Sequence, residues 1–206
     1  MDISDIYKID IQSGTVVDVF TETVFNDFAP DWAPDGTQFV FASNRPDKDD
    51  PIYDLFLSDL NGENLVQLTD NNNNGWVDTL PSWSPDGQVI AFWRFNFIPE
   101  ATFDEGPQGI WVYDLATQEE ALLYEAKFAA DGEAPVWSPD GQYLAFLEDL
   151  GGLHSLRVIE VDTGALLDVA LVEGDKRAVS WAPDSQALIF SNYADPIISM
   201  FILDIQ

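Results

Sequence analysis

One five-residue phrase constrains this chain more than anything else in it. Trp32-Ala33-Pro34-Asp35-Gly36 returns as Trp83-Ser84-Pro85-Asp86-Gly87, as Trp137-Ser138-Pro139-Asp140-Gly141 and as Trp181-Ala182-Pro183-Asp184-Ser185. Proline presets φ for the first position of a turn, aspartate supports the turn through its side chain, and glycine supplies positive φ. Each copy therefore reverses the chain. The fourth copy carries Ser185 where glycine is expected, which predicts a strained turn or one of another type.

A short apolar run follows every turn: Gln38–Ser43, Val89–Trp93, Tyr143–Leu147 and Ala187–Ser191. A polar loop comes next, and then an alternating segment that closes on Asp59, Asp114, Asp162 or Asp204. In the first three units a turn and another short strand complete the pattern, as in Asn64–Leu68, Glu120–Tyr124 and Ala165–Val169. Each unit thus reads as four strands, here a, b, c and d, over roughly 42–55 residues. Regular short strands separated by turn signals indicate an all-β fold, and a four-stranded unit of this period indicates a propeller blade. No segment keeps a helical period.

The predicted organisation is strands c-d over 1–26, full units over 27–78, 79–131 and 132–175, and strands a-b-c over 176–206. That is about four blades' worth of antiparallel strands. The count leaves three readings open. The chain closes on itself with Ile197–Ile205 displaced, two chains pair into a larger ring, or the chain is a piece of a longer propeller. A fragment or a self-associating partial propeller is preferred, because unpaired strand edges invite association. A homo-oligomer or a strand-sharing dimer is the expected form.

The residues Trp32, Pro34, Asp35, Gly36, Trp83, Pro85, Asp86, Gly87, Trp137, Pro139, Asp140, Gly141, Trp181, Pro183 and Asp184 are read as structural, with each indole wedged between neighbouring blades. The aspartates that close strand c, Asp10 included, are read as turn-formers. The pattern resembles the TolB-type propeller repeat, a relative of the WD repeat. Asp5-Ile6-Tyr7-Lys8-Ile9-Asp10, Asp54–Asp59 and Leu65-Val66-Gln67-Leu68-Thr69 match that repeat, and the resemblance covers nearly the whole chain. It implies a β-propeller and favours a periplasmic or extracellular setting. It does not imply one function, since similar repeats serve scaffold proteins, oligopeptidases and lyases.

Charge narrows the partners. The chain holds 37 Asp and Glu against 8 Lys and Arg, a net charge of −29. Such a surface repels nucleic acid and anionic membrane; it keeps a β-rich surface soluble, and it also suits cations, basic partners or high-salt solvent. No apolar run reaches the roughly 20 residues of a membrane helix. The opening MDISDIYKID lacks the basic patch and apolar stretch of a signal peptide. Cysteine is absent, which excludes disulfides and thiolate metal sites.

One segment has the spacing of a calcium loop. Asp70, Asn72, Asn74 and Asp78 alternate around Gly75, and the Trp76 carbonyl falls at the seventh position. The segment resembles the calcium loops of integrin-type propellers, with Pro81 where an EF-hand has its bidentate glutamate. Two carboxylates predict modest affinity, and an Asn-rich d-to-a turn explains the same letters. Asp47-Lys48-Asp49-Asp50 reads as a solvated loop, and Phe92–Phe97 as a buried b strand or an aromatic stacking surface. Enzyme signatures are missing: there is no Gly-x-Ser-x-Gly, phosphate loop or His-Glu-x-x-His. His154 is the one histidine, and its Gly-Gly-Leu-His context predicts an exposed loop residue. The expectation is a non-enzymatic protein- or peptide-binding or scaffold module, its partner suited by a basic surface. The contrasting expectation is an accessory propeller of a peptidase or a carbohydrate-active enzyme that gates or positions substrate.

Overall fold

A computed structural model describes residues 4–21, 24–45, 52–71, 75–96, 106–128, 132–167, 174–194 and 197–204. Five antiparallel sheets follow one another along the chain, and no helix occurs among the described residues. The first sheet has two strands, β1 (Tyr7–Ile9) and β2 (Val16–Asp18). The second runs β3 (Asp27–Trp32), β4 (Gln38–Ser43), β5 (Asp54–Asp59) and β6 (Val66–Gln67). The third runs β7 (Trp76–Trp83), β8 (Val89–Asn96), β9 (Gly109–Asp114) and β10 (Glu119–Glu125). The fourth runs β11 (Val136–Trp137), β12 (Tyr143–Asp149), β13 (His154–Glu160) and β14 (Ala165–Leu166). The fifth has β15 (Asp175–Trp181), β16 (Ala187–Ala194) and β17 (Ile197–Asp204).

These are consecutive propeller blades, in the order c-d, three times a-b-c-d, then a-b-c. Blade boundaries differ slightly from the sequence reading: Trp76, Val77 and Asp78 open strand a of the third blade rather than closing the second unit, and Asp175 opens the fifth. The a strands β3, β7, β11 and β15 stand side by side as the inner row. No contact joins the first and fifth sheets among the described residues, so the propeller is partial rather than a closed ring.

The repeated turn has one form in all four copies. Gly36, Gly87, Gly141 and Ser185 all have positive φ, at 70°, 73°, 74° and 62°. Their N–H groups donate to Ala33, Ser84, Ser138 and Ala182 carbonyls at 2.9, 2.9, 2.9 and 3.0 Å. The Asp Oδ1 of each copy accepts the N–H two residues on, at Thr37, Gln88, Gln142 and Gln186. Ser185 therefore keeps the turn type instead of changing it. Its Oγ accepts the Asp140 N–H at 3.0 Å, a bond to the fourth blade that offsets part of the left-handed strain.

Three of the four wedges pack between blades. Trp83, Ile90, Phe92 and Tyr113 meet Val40, Ala42, Leu55 and Leu57 of the second blade. Trp137, Leu144, Phe146 and Ile159 meet Ala91, Trp93 and Ile110 of the third. Trp181, Leu188 and Phe190 meet Ala145, Leu147, Leu156 and Val158 of the fourth. The Trp137 and Trp181 indoles donate to the Ser82 and Val136 carbonyls at 3.0 and 2.9 Å, each the residue before the preceding blade's tryptophan. Trp83 differs: its backbone N–H donates to Asp31 Oδ2 at 2.7 Å, while its indole N–H is buried with no partner among the described residues.

Trp32 departs from the expectation. It is 52% exposed. The preceding sheet supplies only strands c and d here, so Ile6, Val19 and Phe20 cover Phe39, Phe41 and Phe56 while the Trp32 ring opens onto a small cleft with Tyr7 and Pro30. The same motif tryptophan is thus a wedge only where an a strand stands before it.

Candidate functional site

The end of the blades opposite the Trp-Pro-Asp-Gly turns is built differently. There the b-to-c and d-to-a connections meet, and polar side chains are buried in register. Asp27, Ser43 and Asp54 lie across strands a, b and c of the second blade. Asp78 and Arg94 occupy the a and b positions of the third. Glu148 faces Ser155 in the fourth, and Lys176 faces Asn192 in the fifth. A buried charge is tolerated only when it is paired, so the bonds of this row matter more than its composition.

The strongest pair is Asp78 with Arg94. Nε and Nη2 of the guanidinium donate to Oδ1 and Oδ2, both at 2.6 Å, and the carboxylate is fully buried. Nη1 reaches Glu120 Oε2 at 2.7 Å, and the guanidinium carbon lies 4.6 Å from the Trp111 ring centre. Burial works against the Arg94 charge, but the bonds and charge of Asp78, with Glu120 behind them, more than reverse this and hold its pKa above the ordinary value. In the second blade Arg45 Nη2 donates to Asp27 Oδ2 at 2.6 Å and stacks 4.4 Å over Phe20, which ties the second blade to the first. Burial pushes the Asp27 carboxyl up, against the pull of Ser43 and Arg45.

His154 is buried, which corrects the exposed loop expected from its neighbours. It opens β13, and its Nδ1 lies 2.7 Å from Asp175 Oδ1. Its backbone N–H donates to the same oxygen at 2.6 Å. Asp175 also accepts from Arg177 Nε at 2.9 Å. Burial would raise the Asp175 carboxyl, yet the His154 and Arg177 bonds hold it below the usual range. The pair pins the fourth blade to the fifth.

The sequence-predicted calcium loop is divided by the structure. Asp70 is exposed at the end of the second blade, and Trp76 and Asp78 are buried strand residues. Both Asp78 oxygens are engaged by Arg94, and Asn72 and Asn74 lie outside the described residues. Among the described residues no three His, Asp or Glu converge to hold a metal ion. The acidic loop Asp47–Asp50 and Phe97 also lie outside them, while Phe92 and Trp93 are fully buried as the b-strand reading requires. Asp59 accepts the N–H groups of Asn61 and Glu63, as expected of a turn-former.

Asp54 is the residue the sequence reading missed. Its Oδ1 accepts from Asn71 N–H at 3.1 Å and from Asn71 Nδ2 at 2.8 Å, and its Oδ2 accepts from Gln67 Nε2 at 3.1 Å. It clamps the connection that leads into Asp70. Burial raises its carboxyl to about 7, and the charges of Asp78 and Asp70 add to that against the Asn71 bonds. A carboxyl that keeps its proton more firmly when folded stabilises the fold at low pH. That contribution fades as pH rises from the unfolded value near 4 to about 7. Asp54→Asn removes this dependence. The difference in unfolding free energy between variant and wild type should shift in the variant's favour by on the order of 2–4 kcal/mol between pH 4 and pH 8. Parallel pH profiles in urea titrations would contradict the assignment.

Comparison with known proteins places this architecture. Residues 47–198 match the family model described as the TolB beta propeller domain. The Tol-Pal system protein TolB of Alcanivorax borkumensis is 32% identical over 109 residues, which are 53% of this chain and 22% of that protein. The crystal structure of TolB from Acinetobacter baumannii superposes with a TM-score of 0.69 at 19% identity, over 97% of this chain and 46% of that one. An oligogalacturonate lyase in complex with manganese gives 0.70 at 14% identity, over 98% of this chain and 54% of that one. The chain therefore spans about a fifth of the first curated relative and about half of the solved structures. With five successive blade sheets, the repeated Trp-Pro-Asp-Gly turn and a family match over most of its length, the chain belongs to the TolB β-propeller domain family.

Proposed function

We propose that the chain is a non-catalytic binding module whose partner is a protein or peptide with a basic surface. The observation that carries this is where the cations are spent. All four arginines of the sequence, Arg45, Arg94, Arg157 and Arg177, are bound to carboxylates: Asp27, Asp78 with Glu120, Glu148 and Asp175. The lysines Lys8 and Lys176 donate to backbone carbonyls of Leu60 and Gly174. Eight cations cannot balance 37 acids, so the field of the chain is strongly of one sign. Such a field attracts a basic segment and speeds its arrival. A lysine-rich peptide should bind in calorimetric titration at low salt and lose affinity as salt rises, while a glutamate-rich peptide should not bind. Failure of the lysine-rich peptide to bind at low salt overturns this reading.

The likeness to the lyase structure favours a second reading, an accessory propeller that positions substrate for an enzyme. The charge decides against an oligogalacturonate-like ligand for this chain, because a polyanion meets a net −29. Calcium stays a proposal for the d-to-a loop. Asp70, Asn72, Asn74 and the Trp76 carbonyl would supply oxygen ligands, and the Arg94 fork leaves Asp78 with only its second lone pairs to offer. Repeating the titration on chelator-treated protein, with the melting temperature followed as calcium is added, tests this. A rise of a few degrees supports the loop, and an unchanged melt removes it.

A further inference from the structure

Every d strand has one free edge, and a free edge is a template for another strand unless the chain blunts it. Shortness blunts three of them. Among the described residues β2 spans three residues, and β6 and β14 span two each. β10, Glu119–Glu125, spans seven. It pairs with β9 on one side, and among the described residues no strand lies along the other. The third blade packs against the second and the fourth on its two faces, and β7 at its other edge stands among the inner strands. The outer edge of β10 is therefore the direction in which this sheet can grow.

The length of β10 has a local cause. The strand continues past a bulge between Leu122 and Tyr124 because Gly109 faces its far end. A Cβ at Gly109 would collide with the Tyr124 carbonyl oxygen and the Ala126 nitrogen. Beyond Glu125, Ala126 donates its N–H to the Gln108 carbonyl at 3.1 Å. Ala126 thus turns its N–H inward, so the N–H and C=O of Glu125 face the free edge.

The side chains of the strand decide what fits there. β10 carries three glutamates and neither lysine nor arginine. Glu119 and Glu125 are exposed at its two ends, and Leu122 between them is 37% exposed. Glu120 is held by Arg94. Two copies of β10 laid edge to edge would bring glutamates against glutamates, which destabilises cross-strand pairs. A strand that carries lysines makes the same positions favourable, and Leu122 offers its apolar residues a contact.

We infer that β10 takes up an extended, lysine-bearing segment of a partner protein as a fifth strand of the third blade. The inference rests on the basic partner proposed above and names the place where it sits. Backbone pairing supplies the affinity, and the glutamates choose the partner.

Calorimetry with two peptides tests it. One is an eight-residue peptide that alternates lysine with valine. The other is the same peptide N-methylated at every residue, which keeps the charges and has no backbone N–H to donate. At low salt the first should bind and the second should bind about tenfold more weakly or worse. Amide hydrogen exchange in the complex should slow along β10, Glu125 included, and stay unchanged in β6 and β14. Glu119→Lys/Glu125→Lys should weaken binding about tenfold. Glu63→Lys/Asp162→Lys, with the same change in net charge on exposed c-to-d turns, should weaken it about twofold or less. The peptide comparison needs no variant, so it holds even if a variant fails to fold. Equal binding of the two peptides, protection that falls away from β10, or equal losses in the two double variants would each overturn the added strand and leave the basic partner standing. A lysine peptide that does not bind at low salt overturns both.

Discussion

Arg94→Met is expected to cost about 3–5 kcal/mol of stability, read as a lowered urea midpoint. The reason is Asp78, not the methionine. The carboxylate is fully buried and takes both of its charge-assisted bonds from this one guanidinium. Methionine retains packing against Phe92 and Trp111, where the arginine now stacks, so lost volume contributes little. What remains is a buried anion without donors. The control follows from the same physics. Arg94→Met with Asp78→Leu removes both charges and should recover most of the loss, because a buried ion pair gains little over an apolar pair of similar volume. Arg157→Met, whose side chain is 23% exposed and whose Glu148 partner is nearer solvent, should cost about 1 kcal/mol or less. A single Arg94 variant within 1 kcal/mol of wild type would show that water or another donor reaches Asp78.

The same residue shows how far the sequence could be read. Asp78 has the spacing of a metal ligand in Asp70–Asp78, and Asp27 has no motif at all. Yet both stand five residues before a motif tryptophan, Trp32 or Trp83, which marks them as one position of one strand. That signal was available. Its meaning was not, because Arg94 comes from the following strand and Arg45 from just beyond its end, and only the fold brings them to the aspartates. His154 and Asp175 are 21 residues apart on different blades, so nothing local distinguishes His154 from an exposed loop residue. The left-handed residues Ala29, Leu80 and Ala178, each three before a tryptophan, mark bulges in three a strands. They carry neither Gly nor Asn and leave no signature. By contrast the Pro-Asp-Gly reversal is local chemistry, and the roles of its proline, aspartate and glycine are legible from the letters, while the turn type at Ser185 is not. Local turns and strand alternation are written in neighbouring letters. Pairing across blades depends on which sheet stands next door, and that information is spread over roughly a whole repeat.

The tryptophans make this distinction measurable. Trp137→Ala should cost about 3–5 kcal/mol, since it opens a void against Ala91, Trp93 and Ile110 and removes the indole hydrogen bond to the Ser82 carbonyl. Trp32→Ala should cost about 1 kcal/mol or less, because half of that ring already faces water and its losses are confined to the edge of Phe39 and Pro30. The two residues occupy the same place in the same five-letter phrase, followed by the same kind of hairpin. A motif that stabilised its own turn would make the two costs equal. A wedge whose value lies in the blade before it makes them differ by several-fold. Urea titrations of both variants decide the matter, and comparable losses at Trp32 and Trp137 would refute the inter-blade role on which the reading of the repeat depends.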